Sequence, residues 1–394
     1  RFEDDACNHI EVQLEAKYVP NERVHAVLSV DADYYAYENN GDWDYDDDIS
    51  IYNAYINLSG SSFNLKVGNQ MVKWGKTDEI SPLDNINPED FRDGFVRSRE
   101  ERKMPIPMVN VELYKGLYKL QGLFIPFFEK SELDIHGRDW AFFDHFEQEI
   151  GTFEVKEEDY PNTFSNSEAG ARFSGTIANL DYAFSYFYTR DDLPSIDSLT
   201  VPSGFPLSFT SATLKDLAEF ARTTNQPIVL KHERQSITGF EFETTWGDFG
   251  LRGDLAYIYQ GTFMTNELQS IRKPVFEYVL GADYNGPGSF YFNLQFSQAI
   301  VLNYDDRILF SDEITNTVYG EITKGILDDN LELGFRYYYS ITGEDYYYSP
   351  NILLKYWENV TFELGAEIVG GPDDTILGLF QENDQVYGIL EVHF

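Results

Sequence analysis

The sequence predicts an all-β fold, a transmembrane antiparallel up-and-down β-barrel of about 16 to 18 strands. Three observations carry this prediction: segments with alternating apolar and polar residues, tight turns that alternate with long polar loops, and a high aromatic content. Alternation with period two is the pattern of a strand that has one apolar and one polar face. Aromatic residues make up 16% of the 394 residues, a proportion that suits strands and the interfacial girdles of membrane barrels.

The first strand shows the alternation. In "IEVQLEAKYV", Ile10, Val12 and Leu14 share one face, and Glu11 and Gln13 lie on the other. The unit of strand, tight turn, strand and longer loop recurs, for example as "FEFETTWGDFGLRGDLAYIY" and "VFEYVLGADYNGPGSFYFNLQF". We predict tight turns near residues 20–22, 59–62, 115–116, 176–180, 246–248, 285–288, 326–330 and 357–359. The longer loops are predicted near 38–48, 75–105, 126–166, 190–235, 260–274, 298–315, 340–346 and 370–384.

Short turns at one end and long loops at the other predict short periplasmic turns and long extracellular loops around one barrel domain, residues 1–394. The chain offers 17 candidate strands, the last being "QVYGILEVHF". Closed bacterial barrels normally have an even number of strands. We therefore expect that one strand is wrongly assigned, or that a further strand lies upstream of Arg1 or within the first nine residues.

Composition excludes several classes of protein. A formal net charge of -38 argues against a nucleic-acid partner, because phosphate binding needs clustered Lys and Arg. Cys7 is the only cysteine, so no internal disulfide and no cysteine-based metal motif is expected. No apolar run is long enough for a transmembrane helix. No signal peptide is recognisable, and we expect the sequence to be the mature form of an exported protein.

The segment "KWGKTDEISPLDNINPEDFRDGFVRSREERK" (73–103) concentrates positive charge, with seven of the 29 basic residues. Asn87 as N-cap and Pro88 at the first position predict a helix through "EDFRDGFVRSREERK". We expect residues 75–105 to fold into the lumen as a constriction; the alternative is a surface loop with internal ion pairs. The basic residues expected at the constriction are Lys73, Lys76, Arg92, Arg97, Arg99, Arg102 and Lys103.

A second loop, residues 190–235, is predicted to be extracellular and to contain a short helix at "SATLKDLAEFARTT" (211–224). Ser211 is its expected cap, and Leu217, Ala218 and Ala221 fall on one apolar stripe with Leu214. Such a helix either covers the pore, docks a partner or packs on neighbouring loops.

Four segments in order resemble a known family: "GNQMVKWGKTDEISPLDNINPEDF", "MPIPMVNVELY", "SEAGARFSGTIANLDYAFSYFYTRDDLP" and "FGLRGDLAYIY". They are similar to an uncharacterised proteobacterial outer-membrane porin family, distantly similar to alginate-export-type barrels, and the resemblance covers most of the chain from about residue 60 onward. The resemblance implies an outer-membrane channel, sometimes thought to work with inner-membrane exporters of hydrophobic compounds. It implies no particular solute.

The C-terminal strand resembles the signal that the barrel assembly machinery recognises in outer-membrane barrels. Leu390, Val392 and Phe394 share its apolar face and would face lipid at the periplasmic rim. The alternative is an apolar terminus packed into a soluble core.

Positions opposite the apolar face of each strand should line the lumen. A basic patch that faces an acidic wall would set a transverse field and favour polar solutes; the alternative is a scatter of charges on a wet wall. The expected lumen-wall residues are Lys66, Lys119, Arg172, Arg252, Glu241, Glu243, Glu277, Asp283, Glu321, Glu332, Glu363 and Glu367.

The sequence gives little indication of a metal site or of an enzyme active site. The run "DWDYDDD" suits Ca²⁺ or Mg²⁺, which could bridge lipopolysaccharide, although acidic loops are usually just solvated. Its carboxylates are Asp42, Asp44, Asp46, Asp47 and Asp48. No other cofactor is expected. No G-x-S-x-G motif occurs, and no histidine is paired with a serine motif, so we predict that the protein is not an enzyme.

The sequence thus predicts a bacterial outer-membrane channel, porin-like, for passive diffusion of small polar or charged solutes. Its expected partners are outer-membrane lipid, lipopolysaccharide, the barrel assembly machinery and the solutes themselves, with no nucleic acid. The alternative is a duct or scaffold barrel that partners an exporter, a lipoprotein or another envelope protein. A duct for hydrophobic cargo would need an apolar lumen patch or a lateral opening.

Overall fold

A computed structural model of the chain describes residues 7–39, 42–135, 140–141, 151–201, 214–309, 311–372 and 375–394. The strands, in chain order, are β1 (Cys7–Asn21), β2 (Val24–Asn39), β3 (Asp42–Ser59), β4 (Phe63–Gln70), β5 (Ile106–Lys115), β6 (Tyr118–Ile125), β7 (Val155–Glu157), β8 (Glu168–Ile177), β9 (Leu180–Arg190), β10 (Ser195–Ile196), β11 (Ile228–Lys231), β12 (Arg234–Trp246), β13 (Phe249–Met264), β14 (Ser270–Gly286), β15 (Phe290–Val301), β16 (Ile314–Ile326), β17 (Leu331–Ser340), β18 (Tyr346–Trp357), β19 (Val360–Gly370) and β20 (Gln385–Val392). The helices are α1 (Arg99–Arg102), α2 (Leu214–Thr224) and α3 (Ile376–Leu379), and Phe164–Asn166 form a 3₁₀ turn.

Seventeen of these strands form one antiparallel sheet in which each strand pairs with the next along the chain. Three of these pairs, β4 with β5, β6 with β8 and β9 with β12, are joined by long connections. The prediction of an up-and-down β-barrel is confirmed, and the sheet contains all seventeen predicted strands. In the described parts of β1 and β20 no ladder joins these two strands, which both run toward the short-turn end.

The sheet has an apolar outside and a polar inside. In β15, Asn293, Gln295 and Ser297 are buried on the inner face, and Leu294 between them is exposed. The same alternation leaves large apolar side chains exposed along the other strands, including Ile10, Leu14, Ile49, Leu113, Phe184, Leu280, Leu364 and Leu390. An apolar outer face of this extent is the surface that a barrel presents to lipid. No helix in the described residues is long and apolar enough to cross a membrane.

The turns follow the prediction at one end of the barrel, and the prediction of a long loop near 38–48 is wrong. Residues 38–48 are not a long loop, because Tyr34 to Asn39 pair with Asp42 to Asp47 and extend the β2–β3 hairpin. The acidic run is therefore the beginning of β3. Its alternating Trp43 and Tyr45 allow strand pairing, which satisfies the backbone groups that a loop would leave to water.

The long loops also build a small second layer that the sequence pattern did not indicate. The strands β7, β10 and β11 form a three-stranded sheet, in which β11 pairs parallel to β7. Helix α2 packs on it through Ala218 and Ala221, in one cluster with Ile228 and Leu230. The helix confirms the predicted one within 211–224, and its expected cap, Ser211, lies outside the described residues.

Candidate functional site

The connection between β4 and β5, residues 71–105, folds into the barrel, and we call it the inward loop. Its first part lies against the wall formed by β5, β6, β9 and β12–β15. Trp74 is buried among Ile106, Met108 and Phe187, and its indole Nε1 donates to Gln121 at 3.0 Å. The backbone N–H of Gly75 donates to Glu241 on β12 at 2.8 Å.

The second part of the inward loop reaches the opposite wall. Arg97 donates to Glu11 on β1 at 2.7 Å, and Asp93 lies 3.0 Å from the Nδ1 of His9. Arg336 on β17 donates to the carbonyl oxygen of Val96 at 2.8 Å. Because it contacts both walls, the inward loop crosses the lumen.

The predicted helix through residues 89–103 is wrong. Only Arg99–Arg102 are helical. The chain from Glu89 to Lys103 folds back on itself as a hairpin, in which the Asp90 N–H donates to the Arg102 carbonyl oxygen at 2.8 Å. Gly94 has a φ of +63°, and a Cβ at this position would lie 2.2 Å from the ring of Trp140. The chain turns here in a conformation that favours glycine, and the helix cannot pass through it. Asn87 is not a helix cap but bridges Val72 N, Gln70 O and Met104 O.

A buried carboxylate organises the basic end of the inward loop. Glu89 is only 6% exposed and lies 2.7 Å from Arg99, 3.3 Å from Arg102 and 3.1 Å from Lys103. Glu79 and Asp84 complete the cluster. Burial alone would raise the pKa of Glu89, but the charges of Arg99, Lys103 and Arg102 lower it to about 2. Three of the seven predicted constriction residues are thus internal ion-pair partners that hold the loop together.

The other four predicted constriction residues are less buried. Lys73 lies 3.8 Å from Glu100, and Lys76 lies 2.8 Å from Glu243 on the barrel wall. Arg92 pairs with Asp90 inside the loop at 2.6 Å. Arg97 retains about a third of its side-chain exposure beside Glu11 and faces the open part of the lumen.

The predicted lumen-wall residues lie on the inner face of their strands, and several of them form pairs. Arg172 pairs with Glu241, and Arg252 pairs with Asp283. Other pairs and contacts on the wall involve Lys66 over the ring of Tyr55, Lys119 with Glu112, Glu243 with Lys76, Glu277 with Ser297, Glu332 with Lys355, Glu363 with Asn351 and Glu367 with Tyr347. Glu321, Glu332 and Glu363 line the open cavity.

The open cavity has a volume of about 2750 Å³ and lies between the inward loop and the wall formed by β1–β3 and β16–β20. Its lining contains 20 Asp and Glu residues and seven Lys and Arg residues. Six of the seven cations already have a carboxylate partner within 4.0 Å, and the seventh, Arg336, binds a backbone carbonyl. The cavity is therefore strongly negative.

The predicted acidic metal site is split by the strand. Side chains alternate along β3, so Asp44, Asp46 and Asp48 lie on one face and Asp47 on the other. The side chain of Asp42 lies outside the described ones. Across the described residues, the group with metal-ligand spacing is instead His9, Glu11 and Asp33. The guanidinium of Arg97 lies against this group and supplies positive charge there.

At the C-terminus, β20 pairs with β19, and Leu390, Val392 and Phe394 are exposed on the outer face. Their role in assembly stays a prediction.

Sequence patterns missed the residues that fix the inward loop. Glu89 lay inside the predicted helix, and Asp254 was visible as an inner-face residue of β13 without any sign of its partners. His9 is a further case, because its two nitrogens lie 2.7 Å from Asp33 and 3.0 Å from Asp93. All of these contacts join residues far apart in sequence, and the chain itself gives no signal for them.

A family profile with the description "Protein of unknown function (DUF1302)" matches residues 16–325. The chain belongs to this family. The predicted resemblance to an uncharacterised porin-like family is thereby confirmed. No curated protein of known function matches the sequence.

Several solved structures show a distant similarity to this DUF1302 chain. OccK7 (OpdD) of Pseudomonas aeruginosa is 10% identical, with 98% of this chain and 93% of that chain covered and a TM-score of 0.46. OccK5 (OpdH) of the same organism is 9% identical, with coverage of 98% and 95% and a TM-score of 0.47. An anion-selective porin from Comamonas acidovorans is 9% identical, with coverage of 88% and 90% and a TM-score of 0.39. At these scores, the function has to be argued from this chain's own residues.

Proposed function

We propose that this protein is an outer-membrane channel that lets small polar solutes diffuse passively and prefers cations. The observation that supports this proposal is the open cavity, with 20 acidic and seven basic residues in its lining. Carboxylates that remain without a cation raise the local concentration of positive solutes and repel anions. The inward loop narrows the lumen to this one side, and so directs every solute past the acidic wall.

The test is the conductance of the purified protein in a planar bilayer, with the reversal potential measured in a KCl gradient. We expect discrete open steps and a reversal potential that indicates K⁺ preference. The preference should weaken as the salt concentration rises, because the Debye length falls from about 10 Å at 0.1 M to about 3 Å at 1 M. Anion preference, or no conductance in repeated reconstitutions, would contradict the proposal. Heat-denatured protein in the same detergent is the control.

Two arginines of the inward loop should behave differently in this experiment. Arg97 faces the open cavity, so Arg97→Ala should increase the K⁺ preference and leave the step size nearly unchanged. Arg99 is enclosed by Glu89, Glu79 and Asp84, so Arg99→Ala should disturb the loop and broaden the distribution of conductance steps. The reversal potential and step histogram of each single variant check this. Equal effects of both substitutions would show that the two arginines share one role.

A second candidate function, a duct for apolar cargo that works with an exporter or another envelope protein, is favoured by one observation. The cavity is lined by both faces of β1 and β20, including the apolar side chains of Val12, Leu14, Leu390 and Val392. The aqueous lumen is therefore continuous with apolar side chains of the outer face. If the correctly folded barrel conducts no ions in the bilayer experiment, the duct becomes the favoured function.

A further inference from the structure

One wall residue outside the cavity collects the hydrogen bonds of the inward loop. Asp254 on β13 is fully buried. Its Oδ1 accepts from the backbone N–H of Lys76 at 2.8 Å. Its Oδ2 accepts from the Thr77 N–H at 3.0 Å, from the Thr77 hydroxyl at 2.5 Å and from the Ser81 hydroxyl at 2.7 Å.

The segment 75–81 is shaped to reach this carboxylate. Gly75 has a φ of +92°, and a Cβ there would lie 2.3 Å from the Ser81 hydroxyl and 2.9 Å from Asp254 Oδ2. Only glycine allows this approach. On either side, Gly75 N–H donates to Glu241, and Asp78 accepts from Asn293 at 2.7 Å and from Gln295 at 2.5 Å. The segment is therefore tied to β12, β13 and β15 along its whole length.

We infer that Asp254 is the positioning residue of the constriction: it fixes the inward loop to one wall and so sets the width of the open side of the lumen. The inference rests on the proposed function, because the width of a constriction affects transport only if the barrel is a channel. A carboxylate offers four lone-pair sites and no donor, which matches four donors from Lys76, Thr77 and Ser81. Asparagine would place an NH₂ donor against these donors and leave buried groups unsatisfied.

The two ends of the inward loop are held differently. At the far wall, Arg97 and Glu11 each keep about a third of their side-chain exposure, and water competes with their ion pair. At the near wall, Asp254 and Thr77 are inaccessible to solvent. Loss of the Asp254 contacts therefore removes four of the buried hydrogen bonds that attach the loop to the near wall, and the exposed pair at Arg97 cannot replace them.

The test compares Asp254→Asn with a matched control, Glu168→Gln. Glu168 on β8 is also a buried wall carboxylate, but it accepts from Thr189 and Arg190 N within the wall and not from the inward loop. Both variants convert a buried wall carboxyl group to its amide. The first measurement is limited trypsin digestion of the folded protein in detergent, with mass spectrometry of cleavage after Arg97, Arg99, Arg102 and Lys103.

We expect cleavage in the inward loop to accelerate about tenfold or more in Asp254→Asn, since local opening follows the lost hydrogen bonds. Glu168→Gln should match the wild type. Single-channel records of Asp254→Asn should show larger and less uniform open steps. Wild-type cleavage rates in Asp254→Asn would overturn the inference. If the wild type conducts no ions, the proposed channel fails, and the digestion still decides whether Asp254 positions the loop.

A variant made from the loop side keeps the test decisive if Asp254→Asn does not fold. Ser81→Ala removes one hydroxyl donor to Asp254 and leaves the wall intact. Its cleavage rate should exceed that of the wild type, and a wild-type rate would contradict the inference. Where Asp254→Asn folds, the rate for Ser81→Ala should stay below that of Asp254→Asn. In the double variant, Ser81→Ala should add little to Asp254→Asn, because both act through one contact. Full additivity would contradict the inference.

Discussion

Glu89→Ala should release the inward loop from its folded form while the barrel wall stays paired. The substitution leaves Arg99, Arg102 and Lys103 buried without their shared carboxylate, and breaking a buried ion pair in this way costs about 3–5 kcal/mol. The measurement is trypsin cleavage within the loop, combined with the heat-induced loss of β-structure followed by circular dichroism. Cleavage should rise strongly, and the barrel transition should change little.

The control for Glu89→Ala is Glu100→Ala in the same loop. Glu100 is mostly exposed and lies 3.8 Å from Lys73, so its removal should have an effect near zero. Similar cleavage rates for the two variants would show that the cluster around Glu89 does not hold the loop.

The same cluster gives the loop a pH dependence with a defined sign. The pKa of Glu89 is lowered to about 2 in the folded loop and would be about 4.3 in an unfolded one. A depressed carboxyl pKa contributes stability that is complete above the unfolded pKa and is lost as the pH falls toward the folded value. Loop protection, followed by amide hydrogen exchange, should therefore persist at about pH 5 and decline toward about pH 2. This decline should be smaller in Glu89→Gln.

Trp74→Ala should detach the first part of the inward loop and lower the stability of the wall beneath it. Trp74 is 2% exposed, packs edge-to-face on Phe187 and donates to Gln121. Removing a buried indole costs about 3–5 kcal/mol and leaves Gln121 short of a partner. Thermal unfolding in detergent and loop cleavage measure the two effects.

Trp246→Ala is the matched control, because Trp246 is 75% exposed at the end of β12. It should unfold at nearly the wild-type temperature in detergent. If Trp246→Ala proved as destabilising as Trp74→Ala, the loss of stability would follow from removing any tryptophan and not from the packing of the inward loop.

The wall of the barrel could be predicted from the sequence because its signal is local. Alternation in β15 places Asn293 inside and Leu294 outside without any knowledge of the partners. The predicted inner-face residues, such as Arg252 and Asp283, follow from the same period, and their pairing follows once neighbouring strands are in register.

The interior could be predicted only in outline. Concentrated charge indicated that residues 73–103 matter. Asn87 and Pro88 suggested a helix there, but the turn at Gly94 and the cluster around Glu89 form a hairpin instead. The acidic run at Asp44 was predicted as a loop because local composition outweighed its alternation with Trp43 and Tyr45. No period in the chain encodes the contacts of Glu89 and Gly94, whereas the alternation at the beginning of β3 was present and was outweighed.

The attachment of the inward loop also sets an order of assembly. Residues 75–81 form hydrogen bonds with partners on β12, β13 and β15 that come 166 to 217 residues later in the chain. The loop cannot bind to the barrel wall until those strands have been synthesised, transported to the membrane and paired. We therefore expect the inward loop, although it lies in the first third of the chain, to reach its final position only late in folding.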